Sequence, residues 1–301
     1  MEKYELFYEA IDKLYNEVYK KINREYIDVF LCGGVSTNSD CIRDKVRRIM
    51  EENYIRVLYP EDMFMDILAK NRDKDLLSLE KFLADNSDII CVLPESAGSF
   101  VELGAFTNNN KTIDKLFVML NRKYEKDKSF IIMGPVKYII NNKGKERIVF
   151  YDSDNIGKFV KKTREEFKKF IKENGKQDIA INTIIGQYYF IPLLLLLFFI
   201  KRISLKDLDR IITEMYHRNN IDIREFKLIL GASIKLLYKH KLINKHIIYG
   251  TISLTDKGNN YIKGILGNLS INKANKLFDY IRYGIILSEL NGNAPLESTM
   301  L

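Results

Sequence analysis

The chain is short of the side chains that do most hydrolytic chemistry. No histidine precedes His217, and the other two are His240 and His246. Ser–His and Cys–His pairs are therefore excluded from the N-terminal half, and a zinc site is disfavoured without clustered Cys or His. The three cysteines, Cys32, Cys41 and Cys91, are odd in number and irregular in spacing. That argues against a disulfide framework and for a reducing, cytoplasmic compartment. The opening MEKYELFYEAIDKLY is charged and lacks the apolar centre of a secretion signal. The longest apolar run, YYFIPLLLLLFFI at 188–200, has 13 residues. It falls short of the roughly 18–20 needed to cross a bilayer, so it reads as a buried helix, with no membrane partner implied. No internal repeat is present, and no low-complexity tract beyond these leucines.

What is present divides in two. Residues 1–180 hold 32 Lys and Arg against 31 Asp and Glu, and residues 181–301 hold 16 against 9. The basic second part is the better candidate to meet an acidic polymer, although a solvated basic surface reads the same way. In the first part, short apolar runs at 26–31, 55–59, 89–93, 116–120, 129–133 and 148–151 read as strands. Helical stretches at 5–24, 39–53, 77–86 and 99–110 alternate with them, the second capped by Ser39 or Asp40. Near-continuous apolar strands imply an open α/β sandwich with a parallel, Rossmann-like or flavodoxin-like sheet, which binds ligands at the carboxyl ends of its strands. Residues 157–176 read as an exposed basic helix, and ENGKQD at 173–178 marks the boundary. The expected domains are 1–176, the α/β domain, and 177–301, an α-rich winged helix-turn-helix. The second is read from helices at 188–200, 205–217 and 223–241, a hairpin turning at Tyr249-Gly250, LTDKG opening a further helix, another helix at 271–291 and a loose tail.

Chemistry concentrates where strands end. Gly33-Gly34 after the first strand and Gly98-Ser99 after the third let a backbone approach phosphate or ribose, or they are plain tight turns. Glu102 follows one turn later, in the expected first turn of its helix. A carboxylate there can attack an anomeric carbon or stabilise an oxocarbenium-like charge. Equally, it can be an acid complementing the helix dipole. Asp88 heads its strand and reads as structural, and Tyr59 reads as core. Arg43 could meet a phosphate, but it shares its helix with Lys45, Arg47 and Arg48 and reads better as part of a solvated face.

The stretch GSFVELGA (98–105) resembles the G-[ST]-x-x-E-x-G part of the G-[ST]-x-x-E-x-G-x-A signature of nucleoside 2-deoxyribosyltransferase-like proteins. More narrowly, LCGG (31–34), YPEDMF (59–64), PESAGSFVELGAF (94–106) and FIIMGP (130–135), followed by a winged helix, resemble the deoxyribosyltransferase-like effectors of retron anti-phage systems. The resemblance covers nearly the whole chain. It implies an N-glycosidase toxin with Glu102 as nucleophile and NAD as substrate rather than cofactor; no cofactor is implied. The partners implied are the retron reverse transcriptase and its multicopy single-stranded DNA with linked RNA. A homo-oligomer is compatible with it. The carry-over places phosphate or ribose at Gly33, Gly34, Gly98 and Ser99, and ribose hydroxyls at Glu61 and Asp62, which as an acid pair after Pro60 also read as a helix cap. In one departure, the family's Asp two places before the Gly is Ser96 here, with Glu95 the nearest acid. Hydrolysis is then a simpler expectation than transfer to a second base.

In the second part, Arg224, Lys227, Lys235 and Lys239 lie on the expected recognition helix, and Lys257 flanks the hairpin. With no clear Asn or Gln set to read bases, they suit backbone contacts. Protein docking by the same fold is the rival. Two functions follow: an N-glycosidase effector cleaving NAD or a related nucleotide, and a non-catalytic, nucleotide-sensing, DNA-binding regulator.

Overall fold

Residues 4–22, 26–34, 41–59, 76–173, 179–197, 202–269 and 274–296 are described by a computed structural model. The chain divides into two compact units, Arg24–Lys176, and Met1–Asn23 together with Gln177–Leu301. The sequence pattern groups residues 1–23 with the sheet. Instead, helix α1 (Glu5–Lys13), extended by tighter and wider turns to Lys21, belongs to the second unit. Its Phe7, Ala10, Ile11, Leu14 and Val18 are fully buried there.

In the first unit the apolar runs become β1 (Ile27–Cys32), β2 (Ile55–Leu58), β3 (Ile89–Val92), β4 (Leu116–Asn121) and β5 (Ile148–Tyr151). All pair in parallel, in the order β2-β1-β3-β4-β5. This is the expected open α/β sandwich, in its flavodoxin-like order. Burial on both faces explains why the strands lack alternation. Helices α2 (Ile42–Glu52), α3 (Leu76–Asp85) and α4 (Ala97–Thr107) connect β1 to β2, β2 to β3 and β3 to β4.

One expected strand is a helix. Residues 130–143 run through a π-helical segment at Ile132–Val136 into α5 (Lys137–Lys143). The run FIIMG is short and apolar, which fits either structure. Topology decides, because parallel β4 and β5 need a crossover connection. The helix expected to be exposed is α6 (Ile156–Glu173). It buries Phe159, Val160, Thr163 and Phe167 and packs on α2, with Phe167 edge-on to Phe117 of β4 at 4.9 Å. Its lysines line the outward side of an amphipathic helix.

At the amino edge of the sheet a polar knot ties the strands. Asp28 and Arg56, both buried, stand 3.6 Å apart in register. The Asp88 carboxylate accepts from the Asp28 N–H at 3.0 Å, and the Asp88 N–H donates to the Asp28 carbonyl at 2.8 Å. Asp88 is structural, as its place at the head of β3 suggested.

In the second unit α7 (Ile184–Leu197) is buried almost all round. Among the described residues no helix is long and apolar enough to cross a membrane. Its one buried amide, Gln187, donates to the Tyr216 hydroxyl and the Ile181 carbonyl. There follow β6 (Ile203–Ser204), α8 (Leu205–Arg218), α9 (Phe226–Lys239), β7 (Ile243–His246), β8 (Thr251–Leu254), α10 (Asp256–Gly267) and α11 (Ala274–Leu290). The unforeseen β6 completes an antiparallel sheet β6-β8-β7. Arg218 at the end of α8 pairs with Glu5 and Asp12 of α1, and α11 lies against α1 where Gly284 faces Ala10.

The LTDKG stretch has a local cause. Thr255 caps α10 by accepting from the Gly258 N–H at 2.9 Å, while its own hydroxyl donates to the Lys241 carbonyl. A Cβ on Gly258 would fall well inside contact distance of the Leu242 carbonyl oxygen. Gly258→Ala is expected to cost about 1–3 kcal/mol by forcing backbone apart. A denaturant titration checks this, and an unchanged midpoint would refute the close-approach argument.

Candidate active site at the carboxyl edge of the sheet

Strand order reverses between β1 and β3, the place where sheets of this kind hold ligands at the carboxyl ends of their strands. The two strands stay paired to that edge, where the Leu93 N–H donates to the Cys32 carbonyl at 2.9 Å. Gly33-Gly34 and Pro94-Glu95-Ser96 therefore leave the sheet side by side.

The second turn is rigidly made. Ser96 caps α4 by accepting from the Ser99 N–H at 3.2 Å. The Ser99 hydroxyl accepts from the N–H groups of Glu95 and Ser96, both at 2.9 Å, and donates to the Ser96 carbonyl. Ser99 is 1% exposed, so its hydroxyl shapes the turn that carries Glu95. Gly98, by contrast, is exposed, and a Cβ there would meet nothing nearer than Ser96 Oγ at 3.9 Å.

The cap at Ser96 starts the helix earlier than the sequence suggests. Glu102 consequently lies in the second turn of α4, and the first turn holds no acid. This removes the dipole-complementing reading, because that effect fades beyond the first turn. Glu102 is half-buried, its Oε2 is shielded from solvent, and it lies close enough to Cys32 to raise the thiol's pKa together with buried Glu80. Burial of Cys32 is the larger cause of that rise.

Arg43 reads from sequence as part of a solvated face. It is 3% exposed, in the first turn of α2. Its guanidinium lies over the ring of Tyr59, 4.5 Å from the centroid, with Arg47 also over the ring at 4.4 Å. Tyr59 is core, as expected. A Cβ at Gly33 would stand 2.9 Å from Arg43 Cδ, so glycine there makes room for the arginine.

Glu95 joins three elements. It accepts from the Tyr151 hydroxyl at the end of β5 at 3.1 Å and from the Arg43 backbone N–H, and Cys41 Sγ lies 3.9 Å away. A Cβ at Gly34 would approach the same carboxylate at 3.8 Å. The residue as a whole is exposed at the rim, but partial desolvation of its carboxylate pushes the Glu95 pKa up. The Tyr151, Arg43 and Cys41 contacts oppose the shift. Burial also raises the Tyr151 pKa.

The structure thus brings Gly33, Gly34, Glu95, Ser99 and Glu102 to one sheet edge, with Gly98 on the adjoining turn. Glu61 and Asp62 lie outside the described residues, as do Ser39 and Asp40. Arg43, Tyr151, Cys41 and Glu80 were not foreseen as site residues. Only Arg43 carried a signal, a cation nine positions after Gly34, and three neighbouring cations masked it.

In the second unit the expected contact residues differ in circumstance. Arg224 precedes α9 and is locked to Asp222, which it holds down to about 2. Lys227 and Lys239 are exposed, and Lys235 is half-buried. Lys257 donates to the His240 carbonyl at the end of α9 at 2.9 Å, a helix-ending role.

The model of the STM3845 retron effector protein family matches residues 39–245. The chain is 34% identical over 186 residues to the Escherichia coli "Retron Ec86 putative ribosyltransferase/DNA-binding protein", covering 57% of this chain and 60% of the relative. It is 33% identical over 117 residues to the E. coli "Retron Ec73 putative ribosyltransferase/DNA-binding protein", covering 37% of each. Both matches span less than two thirds of the relative's length.

The Glu95 contacts carry a prediction. Because the Tyr151 hydroxyl stabilises the charged carboxylate, Tyr151→Phe should raise the Glu95 pKa further. Side-chain carbon NMR through a pH titration reads this directly, and a downward or absent shift would contradict the assigned hydrogen bond.

Proposed function

Since the chain belongs to the STM3845 retron effector protein family, we propose that it is an N-glycosidase toxin effector of a retron anti-phage system. In this reading the Arg24–Lys176 unit is a nucleoside deoxyribosyltransferase-like domain that cleaves the N-glycosidic bond of NAD or a related nucleotide. It is controlled by the retron reverse transcriptase and its multicopy single-stranded DNA. The observation that carries the reading is Glu102, on the helix after β3, beside the edge where strand order reverses.

The chemistry follows from the groups at that edge. A Glu102 oxygen attacks the anomeric carbon as the C–N bond breaks and its electron pair leaves with the base, and water then hydrolyses the glycosyl ester. Nicotinamide departs from NAD as a neutral molecule and needs no proton. A purine or pyrimidine needs one, and Glu95, pushed towards protonation by desolvation, suits that donor role. Arg43, a cation at a helix N-terminus beside Gly33, adds to a positive potential that suits phosphate.

Glu102→Gln is expected to keep the thermal midpoint and lose at least about 10³-fold in turnover. Nicotinamide and ADP-ribose release from NAD measures this, with and without the reverse transcriptase–DNA complex. A fully active variant would sink the mechanism.

For the second unit we read α7 to α10 with the β6-β8-β7 sheet as a winged helix that contacts nucleic acid through backbone phosphates. The 30 residues between Glu225 and Asp256 contain no acid and five lysines. Removing Lys227 and Lys239 should weaken binding across sequences and lower the slope of log affinity against log salt by about 0.7–0.9 per lost phosphate contact. An unchanged slope would assign those lysines to solvent. The same surface supports the alternative, a nucleotide-sensing regulator without turnover. Nucleotide-dependent DNA binding by a wild type that cleaves no nucleotide, with or without the complex, would select it.

A further inference from the structure

The β7–β8 hairpin ends in an unusual apex. Ile247, Ile248 and Tyr249 are consecutive and 92%, 91% and 65% exposed. Three adjacent large apolar residues in water are a liability unless they meet something. The apex is also tied to its neighbours. It is one turn of tight helix closed by Gly250 in the left-handed region at φ 58°. The Gly250 carbonyl accepts from the Leu205 N–H at 3.2 Å, and His246 and Ser253 hydrogen-bond across the strands at 3.0 Å. With β8 between β6 and β7, the tip is tied to Leu205 on the β8 side and held across its own two strands.

Its surroundings are cationic. Arg202 lies 5.8 Å from the Tyr249 ring centroid, and Lys245 lies 5.0 Å from that of exposed Tyr238. Exposed Lys206 follows Leu205 in sequence. Asp207, the next residue in sequence, is buried and engaged with Ser204 and Arg210. The combination is a narrow apolar point flanked by Arg202, Lys206 and Lys245, with no exposed acid among these residues.

We propose that this apex is a wedge that inserts Ile247 and Ile248 between unpaired or unstacked bases of a nucleic acid, with Tyr249 stacking on a base and Arg202, Lys206 and Lys245 facing phosphates. Size favours bases over a protein face. A stable protein interface needs about 20–30 residues a side, whereas one or two apolar side chains suffice to open a base step. Aromatic stacking beside basic groups is also how single strands are held without sequence preference. The inference rests on the nucleic-acid reading of this unit and adds the residues that touch bases, which α9 lacks.

The test uses the full chain and three labelled DNA probes: a short duplex, the same duplex with a central bulge carrying 2-aminopurine, and the single strand carrying it. Anisotropy and 2-aminopurine emission are read for wild type and for Ile247→Ser/Ile248→Ser. Both side chains are exposed, so the variant should keep the wild-type thermal midpoint. It should bind the bulged and single-stranded probes about tenfold more weakly or worse and lose the emission change. Its salt dependence should not alter, because no phosphate contact is removed. Wild-type binding that the variant matches in affinity and emission would overturn the wedge alone and leave the apex to a protein partner. A wild type that binds none of the probes would overturn the nucleic-acid reading, and the wedge with it.

Discussion

The pairing of β1 with β3 is the interaction on which the candidate site depends. The two strands are far apart in sequence, yet they run in register from Val29 opposite Ile89 to Cys32 opposite Val92. Because β2 lies on the other side of β1, the connections from β1 and β3 diverge, which is where doubly wound sheets place their ligands. Two turns of small residues emerge there together. The carboxylate of Glu95, leaving β3, reaches the first turn of α2, which follows β1. Without that pairing Gly33, Glu95 and Glu102 would have no common neighbourhood.

The two ends of the sheet use charge differently. At the amino edge Asp28, Arg56 and Asp88 answer one another, and burying them is tolerable because each has a partner. At the carboxyl edge Glu80, Glu95, Glu102 and Arg43 gather near two glycines and a thiol, and desolvation there shifts pKa values. Perturbed groups around a crevice mark functional sites more often than a tied-off ion pair does. Gly33 serves this edge by leaving space that Arg43 occupies.

The second unit has its own logic. Its core is α7, apolar on every side, and its surface is a run of lysines ending in an apolar hairpin tip. Helix α1, although first in the chain, completes this unit through Arg218 and Gly284. The proposed catalytic chemistry and the proposed nucleic-acid contacts fall in separate compact units.

Much of this is legible in the chain. Five apolar runs are strands because buried parallel strands need no alternation, and Glu102 stands out by its spacing from Gly98. The absence of histidine from the sheet unit limits its side-chain chemistry by composition alone. Other features depend on distant residues. The run at 129–133 is helical because a crossover is required there, which no local preference reveals. Arg43 resembles Lys45, Arg47 and Arg48 in sequence, and its burial beside Gly33 sets it apart. Tyr151 meets Glu95 only because β5 and β3 share a sheet, and α1 joins the second unit because its apolar stripe fits there. Local pattern determined most of the elements and placed Glu102 one turn past Gly98, since both depend on neighbours within a turn or two. Tertiary structure decided which charges are buried and what faces Glu95, since those depend on strand order and packing.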